Sequence, residues 1–106
     1  MPFVQTIDLA SRELVPGFTA RFIHTNNVTL GYVTIAAGSI LPEHSHMHEQ
    51  VTHVLEGKLE LTIDGEKNIV EPGKVAVIPS GAKHSAVALT ACKALDVFQP
   101  VREDYK

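Results

Sequence analysis

From Phe18 onward, turn-forming residues cut the chain into short runs rich in Val, Ile, Thr and Leu, and this punctuation constrains the fold more than any other feature. Phe18 to Thr25 and Val28 to Ala36 read as strands joined at Asn26-Asn27, residues that tolerate the left-handed conformations of a tight hairpin. Val51 to Glu56, Lys58 to Asp64, Lys67 to Glu71 and Val75 to Ile78 follow, then His84 to Leu89 and Lys93 to Phe98. The clearest alternation, Lys58-Leu59-Glu60-Leu61-Thr62-Ile63-Asp64, puts apolar side chains on one face only. Asp64-Gly65 predicts a hairpin turn, and Glu71-Pro72-Gly73 and Pro79-Ser80-Gly81 predict further breaks. The helical signal is weak: Asp8 to Leu14 is expected to make one or two turns, with Asp8 as cap. Some eight short strands with tight turns imply an all-β sandwich or barrel. A two-sheet jelly roll fits, because it encloses a cavity and limits open edges.

Size and composition narrow the function. A chain of 106 residues, 44% hydrophobic and 20% charged, has the composition of one globular domain, and residues 1–106 are expected to form a single unit. A net charge of −3 without a basic cluster gives no footprint for nucleic acid or an anionic membrane. No apolar run approaches the length of a membrane span, and the N-terminus lacks the basic and apolar segments of a leader. Cys92 is the single cysteine and has no intramolecular partner, so a cytoplasmic protein is expected, with Cys92 as a small buried hydrophobe.

Six histidines stand out in so short a chain, and His44, His46, His48 and His53 fall within ten positions. In an extended stretch His44 and His46 share a face, and Gln50 has the same parity. His84 follows the Pro79-Ser80-Gly81 turn, which can deliver a ligand from another strand. Three neutral imidazoles and an amide oxygen suit one divalent transition metal, with Ni, Zn, Fe, Mn and Co all compatible. Without a carboxylate in the set, the ion keeps most of its charge and favours an anionic ligand such as a substrate carboxylate. The same histidines also fit ordinary loop or core positions. His48 reads as a loop residue near a cavity mouth. His53, of opposite parity to Gln50, should face away from the site, and His24 reads as structural or interfacial.

The surrounding glycines and proline discriminate between these arrangements. Gly38 to Gly57 has the pattern G-x5-H-x-H-x3-Q-x6-G, and Gly73 to His84 has G-x5-P-x-G-x2-H. Both resemble the two motifs of the cupin superfamily, which implies a double-stranded β-helix, or jelly-roll barrel, with His44, His46, Gln50 and His84 as metal ligands. There are two departures: Gln50 replaces the usual Glu, and Ala88 stands where many cupins have Asn. The first disfavours redox roles, since a carboxylate helps to stabilise higher oxidation states.

Near the C-terminal end of the sequence, Asp96 and Phe98 lie on one face of a strand, with Arg102 beyond Pro100. Two arrangements fit. Asp96 and Arg102 form a surface ion pair, or they face a cavity where Asp96 moves a proton and Arg102 binds a carboxylate. The run Asp96-Val97-Phe98-x-Pro100-x-Arg102-Glu103-Asp104-Tyr105, together with His44-Ser45-His46-Met47-His48-Glu49-Gln50, resembles the pectin degradation protein (KdgF) family across essentially the whole chain. The resemblance implies conversion of 4,5-unsaturated monouronates to the linear 5-keto-4-deoxyuronate. Asp96 would be the acid/base, Phe98 would shape the pocket, and Arg102 would act on the uronate as a catalytic and binding residue. Other cupin activities (a dioxygenase or a sugar isomerase), a non-catalytic sugar-acid binding module and a metal-free barrel are the competing expectations. A homodimer is expected by analogy with small cupins.

Overall fold

The computed structural model describes residues 2–106, and among them it contains ten strands, two single 3-10 turns and no α-helix. In chain order the strands are β1 (Ser11–Val15), β2 (Phe18–His24), β3 (Thr29–Ile35), β4 (Ile40–His44) and β5 (Glu49–Glu56). Then come β6 (Leu59–Ile63), β7 (Glu66–Val70), β8 (Val75–Ile78), β9 (His84–Ala88) and β10 (Cys92–Gln99). They form a six-stranded sheet ordered β1-β2-β3-β10-β5-β8 and a four-stranded sheet ordered β4-β9-β6-β7, with every neighbouring pair antiparallel. The all-β jelly-roll expectation is met. Among the described residues no helix is long and apolar enough to cross a membrane.

Alternation along each strand builds the interior. Leu59 and Leu61 of β6, Val33 and Ile35 of β3, Val54 of β5 and Ala94 of β10 turn inward and pack as one cluster with Phe18 and Ala86. Cys92 joins that cluster as a buried free thiol, as expected. The same inward positions become polar at the other end: Gln50 and Thr52 on β5, Asp96 on β10 and His84 on β9. The sheets therefore enclose a cavity of about 360 Å³ that is apolar at one end and polar at the other.

Three local expectations need correction. Ser11–Val15 is a strand, not a helix; only Thr6–Asp8 makes a single 3-10 turn, without a side-chain cap. Pairing of β1 with β2 prevails over the short-range signal, in line with the poor stability of isolated helical turns. The Asn26-Asn27 connection keeps negative φ values and is held by Thr25, whose hydroxyl oxygen accepts from the Asn27 and Val28 amides at 3.2 and 2.9 Å. By contrast Asp64 and Gly65 both take positive φ, as the hairpin reading required.

Candidate metal centre

His44 and His46 do not lie on one continuous strand. β4 ends at His44, and its register against β9 shifts between Leu41 and His44, so that Leu41 faces Ala86 while His44 faces His84. The extra residue is a bulge, and it sets which residue of β4 turns towards His84. Glu43 would occupy the inward position without it. His46 follows in the bend before β5. Two contacts from the turn preceding β9 brace this bend: the Gly81 amide donates to the His46 carbonyl at 2.8 Å, and Ser80 Oγ donates to the Met47 carbonyl at 2.5 Å. Gly81 has φ of +79°, a conformation that favours glycine. The glycine of the second histidine segment thus positions a histidine of the first.

The three rings converge. His44 and His84 centroids lie 4.2 Å apart and those of His46 and His84 4.9 Å apart; one nitrogen from each ring falls within 4.8 Å of the others. In each ring Nδ1 sits against a backbone carbonyl: Pro42 at 2.8 Å for His44, His48 at 3.0 Å for His46 and Ala82 at 2.9 Å for His84. A carbonyl only accepts, so Nδ1 carries the proton and the neutral ring presents its Nε2 lone pair to the shared point. Burial lowers the His46 pKa, helped by the nearby Arg102 and His84 charges, and burial likewise lowers that of His84. Both shifts favour the neutral ligand form.

Two features test whether these residues fit a cation. His84 is 2% exposed, and its Nε2 is buried without a hydrogen-bond partner. Gln50 donates its amide nitrogen to Thr52 Oγ1 at 3.0 Å, which turns Oε1 towards His46 Nε2, also at 3.0 Å. Two acceptors then face each other with no proton between them. A single cation between them would satisfy the lone pairs on both. The donor set fits a divalent metal.

Asp96 and Phe98 line the same cavity, one polar layer further round the barrel. Register explains this: Asp96 pairs with Thr52 and Phe98 with Gln50 across β10 and β5. Thr52 Oγ1 donates to Asp96 Oδ1 at 2.7 Å. Burial pushes the Asp96 carboxyl up to about 6, against the opposing effect of the Thr52 hydrogen bond. Opposite Asp96 on β3 stands Gly31, where a Cβ would press on the Phe22 ring at 3.0 Å.

Arg102 is only 7% exposed and also lines the cavity. It does not pair with Asp96, so the surface-pair arrangement is excluded. Instead Nε and Nη2 donate to the two carboxylate oxygens of Asp104 at 3.0 and 2.8 Å, while the guanidinium stacks on Phe98 and Tyr105, 4.8 and 4.0 Å from the ring centroids. Burial opposes its charge, but Asp104 and Tyr105 together outweigh that and its pKa rises; the Arg102 hydrogen bonds lower that of Asp104. Among the described residues Nη1 has no acceptor, which leaves one donor edge of the fork open. Sequence reasoning missed Thr52, Asp104 and Tyr105 as parts of this site. For Thr52 a signal existed: it shares parity with Gln50 on a strand whose inward positions are otherwise committed.

His53 is exposed, in keeping with its parity. His48 is half-buried, its ring centroid 5.6 Å from that of His46. His24 is structural: Nδ1 contacts Thr29 Oγ1 at 2.9 Å and Nε2 donates to the Tyr105 carbonyl at 3.3 Å.

Two packed sheets around a histidine-lined cavity define a cupin, and the cupin domain family model matches residues 31–98; the chain belongs to that family. Within it, the chain groups with pectin degradation protein KdgF. It is 31% identical to KdgF of Dickeya dadantii over 96 residues, covering 88% of this chain and 87% of that protein. The structure of KdgF from Halomonas sp. superposes with a TM-score of 0.92 at 28% identity, covering 100% of this chain and 99% of that one. A shorter match, 48% over 50 residues, links 45% of this chain to 14% of quercetin 2,3-dioxygenase from Bacillus subtilis.

Proposed function

We propose that this chain is a metal-dependent enzyme that opens the ring of 4,5-unsaturated monouronates to give the linear 5-keto-4-deoxyuronate. The observation that carries the reading is one cavity holding three convergent imidazoles, the Gln50 oxygen, the Asp96 carboxyl and the Arg102 edge. The relationship to KdgF points to the substrate class. His44, His46, Gln50 and His84 hold the metal. When bound there, a divalent cation supplies a Lewis-acidic anchor for the substrate carboxylate.

The reaction is an isomerisation and needs no oxidant. A proton is added at C4 of the enol ether, the C1 hydroxyl loses a proton, and the bond between C1 and the ring oxygen breaks. C1 becomes the aldehyde and C5 the ketone. Asp96, with its pKa near 6, is poised to give the proton at C4 and to take one from the C1 hydroxyl. Arg102, held by Asp104, presents Nη1 to the uronate, and Phe98 fixes the width of the pocket. Residues 1–106 act as one domain in this reading.

Following the ultraviolet absorbance of an unsaturated monouronate tests it. Metal-loaded protein should speed the loss of absorbance above the spontaneous rate, and chelated protein should not. Equal rates in all samples would sink the proposal. The local match to quercetin dioxygenase favours oxygen chemistry as the second reading, and oxygen uptake with a flavonol would select it.

We also propose a homodimer. Val75, Val77 and Leu55 expose 47, 67 and 47% of their surfaces on the outer face of the six-stranded sheet, where a second copy would cover them. Sedimentation of a single monomeric species at micromolar concentration would exclude it.

A further inference from the structure

The hydroxyl of Thr52 sits between two groups that the proposed reaction uses separately. Thr52 is 3% exposed; its oxygen accepts from the Gln50 amide at 3.0 Å and its single proton goes to Asp96 Oδ1 at 2.7 Å. A hydroxyl has one proton to give, so the polarity of this short chain is set by what stands at its two ends. Gln50 brings an N–H and therefore leaves the Thr52 proton free for Asp96. A carboxylate at position 50 brings none, and two carboxylates would then compete for one buried proton.

We propose that Thr52 is a positioning residue that couples the two halves of the site: it holds the Gln50 oxygen towards the three imidazoles and fixes the Asp96 oxygen facing the cavity. This accounts for an amide, rather than a carboxylate, at position 50 in this chain. The inference rests on the metal-site reading above. Its geometry comes from β5 alone for Gln50 and Thr52, inward neighbours two residues apart, and from the β5–β10 register for Asp96.

Thr52→Val keeps the shape and removes both hydrogen bonds, whereas Thr52→Ser keeps the hydroxyl. The first readout is Ni2+ affinity, measured by competition with a chromogenic chelator; the second is kcat and KM on a 4,5-unsaturated monouronate. Thr52→Val should weaken Ni2+ binding by about 10-fold or more, as loss of an orienting partner does at metal sites. It should lower kcat more than it raises KM, and Thr52→Ser should restore both. A Thr52→Val protein that binds Ni2+ as the wild type does would overturn the inference, as would a Thr52→Ser protein that falls as far as Thr52→Val. Should Thr52→Val fail to fold, Thr52→Cys replaces it, since a thiol is a poor donor and acceptor of similar size. Wild-type protein that binds Ni2+ but leaves the uronate unchanged would remove the proposed reaction and not this inference, which the affinity arm then decides.

Discussion

The two ends of the cavity are built from the same strands and are opposite in kind. Along β9 the inward residues run from His84 to Ala86 and Ala88; along β5 they run from Gln50 and Thr52 to Val54; along β10 they run from Phe98 and Asp96 to Ala94 and Cys92. The apolar end buries side chains away from water and stabilises the fold at about 25 cal/mol per Å² of apolar surface. The polar end does the reverse. It desolvates His46, His84 and Asp96, and it leaves a histidine nitrogen without a partner. One half of the interior holds the barrel together while the other is costly until something binds.

That contrast can be broken by experiment. The largest functional loss is expected for His84→Ala, which removes a central donor. Metal titration should show no stoichiometric binding, and uronate conversion should fall to the spontaneous rate. Asp96→Asn comes next, with kcat down by about 10²–10⁴-fold and metal still bound. At the apolar end, Leu61→Ala should destabilise the fold by about 2–5 kcal/mol in urea titration and leave the metal affinity of the folded fraction unchanged. If Leu61→Ala abolishes binding at full folding, the two ends are not separable.

The smallest effect is the most pointed. The folded pKa of Asp96, about 6, lies above its ordinary value of 3.8. Between these values the unfolded chain has lost the proton and the folded one keeps it, so stability falls as pH rises from about 4 to 6 and stays lower above. Asp96→Asn should remove that component. Measured without metal, its melting temperature should exceed that of the wild type at pH 7, and the gap should shrink at pH 4. A constant gap across that range would show that Asp96 is not desolvated in solution.

Much of this was legible in the sequence, for identifiable reasons. Turn residues and the runs rich in Val, Ile, Thr and Leu between them located eight strands, and alternation in the Leu59 to Ile63 run also marked its inward face. The spacing of glycines, histidines and proline located the three converging histidines because Gly57 and Gly81 both take the positive φ that favours glycine; at Gly57 a Cβ would also run into the Ala91 carbonyl. Strands β1 and β4 were not legible. Ser11–Val15 has no clean alternation, and Ile40–His44 carries a proline and a bulge. Arg102 was singled out, but its partner was not, because the bidentate contact with Asp104 depends on the turn after β10. Such a pairing over two residues has no periodic signature.

The position of β10 has a bearing on how the chain reaches this state. β10 lies between β3 and β5 and pairs with both, yet it is the latest of the three to be made. Until it arrives, β3 and β5 each carry an unpaired ladder of amides and carbonyls, flanked by the apolar side chains that later fill the barrel. A nascent chain that ends before Cys92 thus has neither a closed sheet nor Asp96 within reach of Thr52. Closure is a late, long-range event, of the kind that slows folding and lengthens exposure to aggregation.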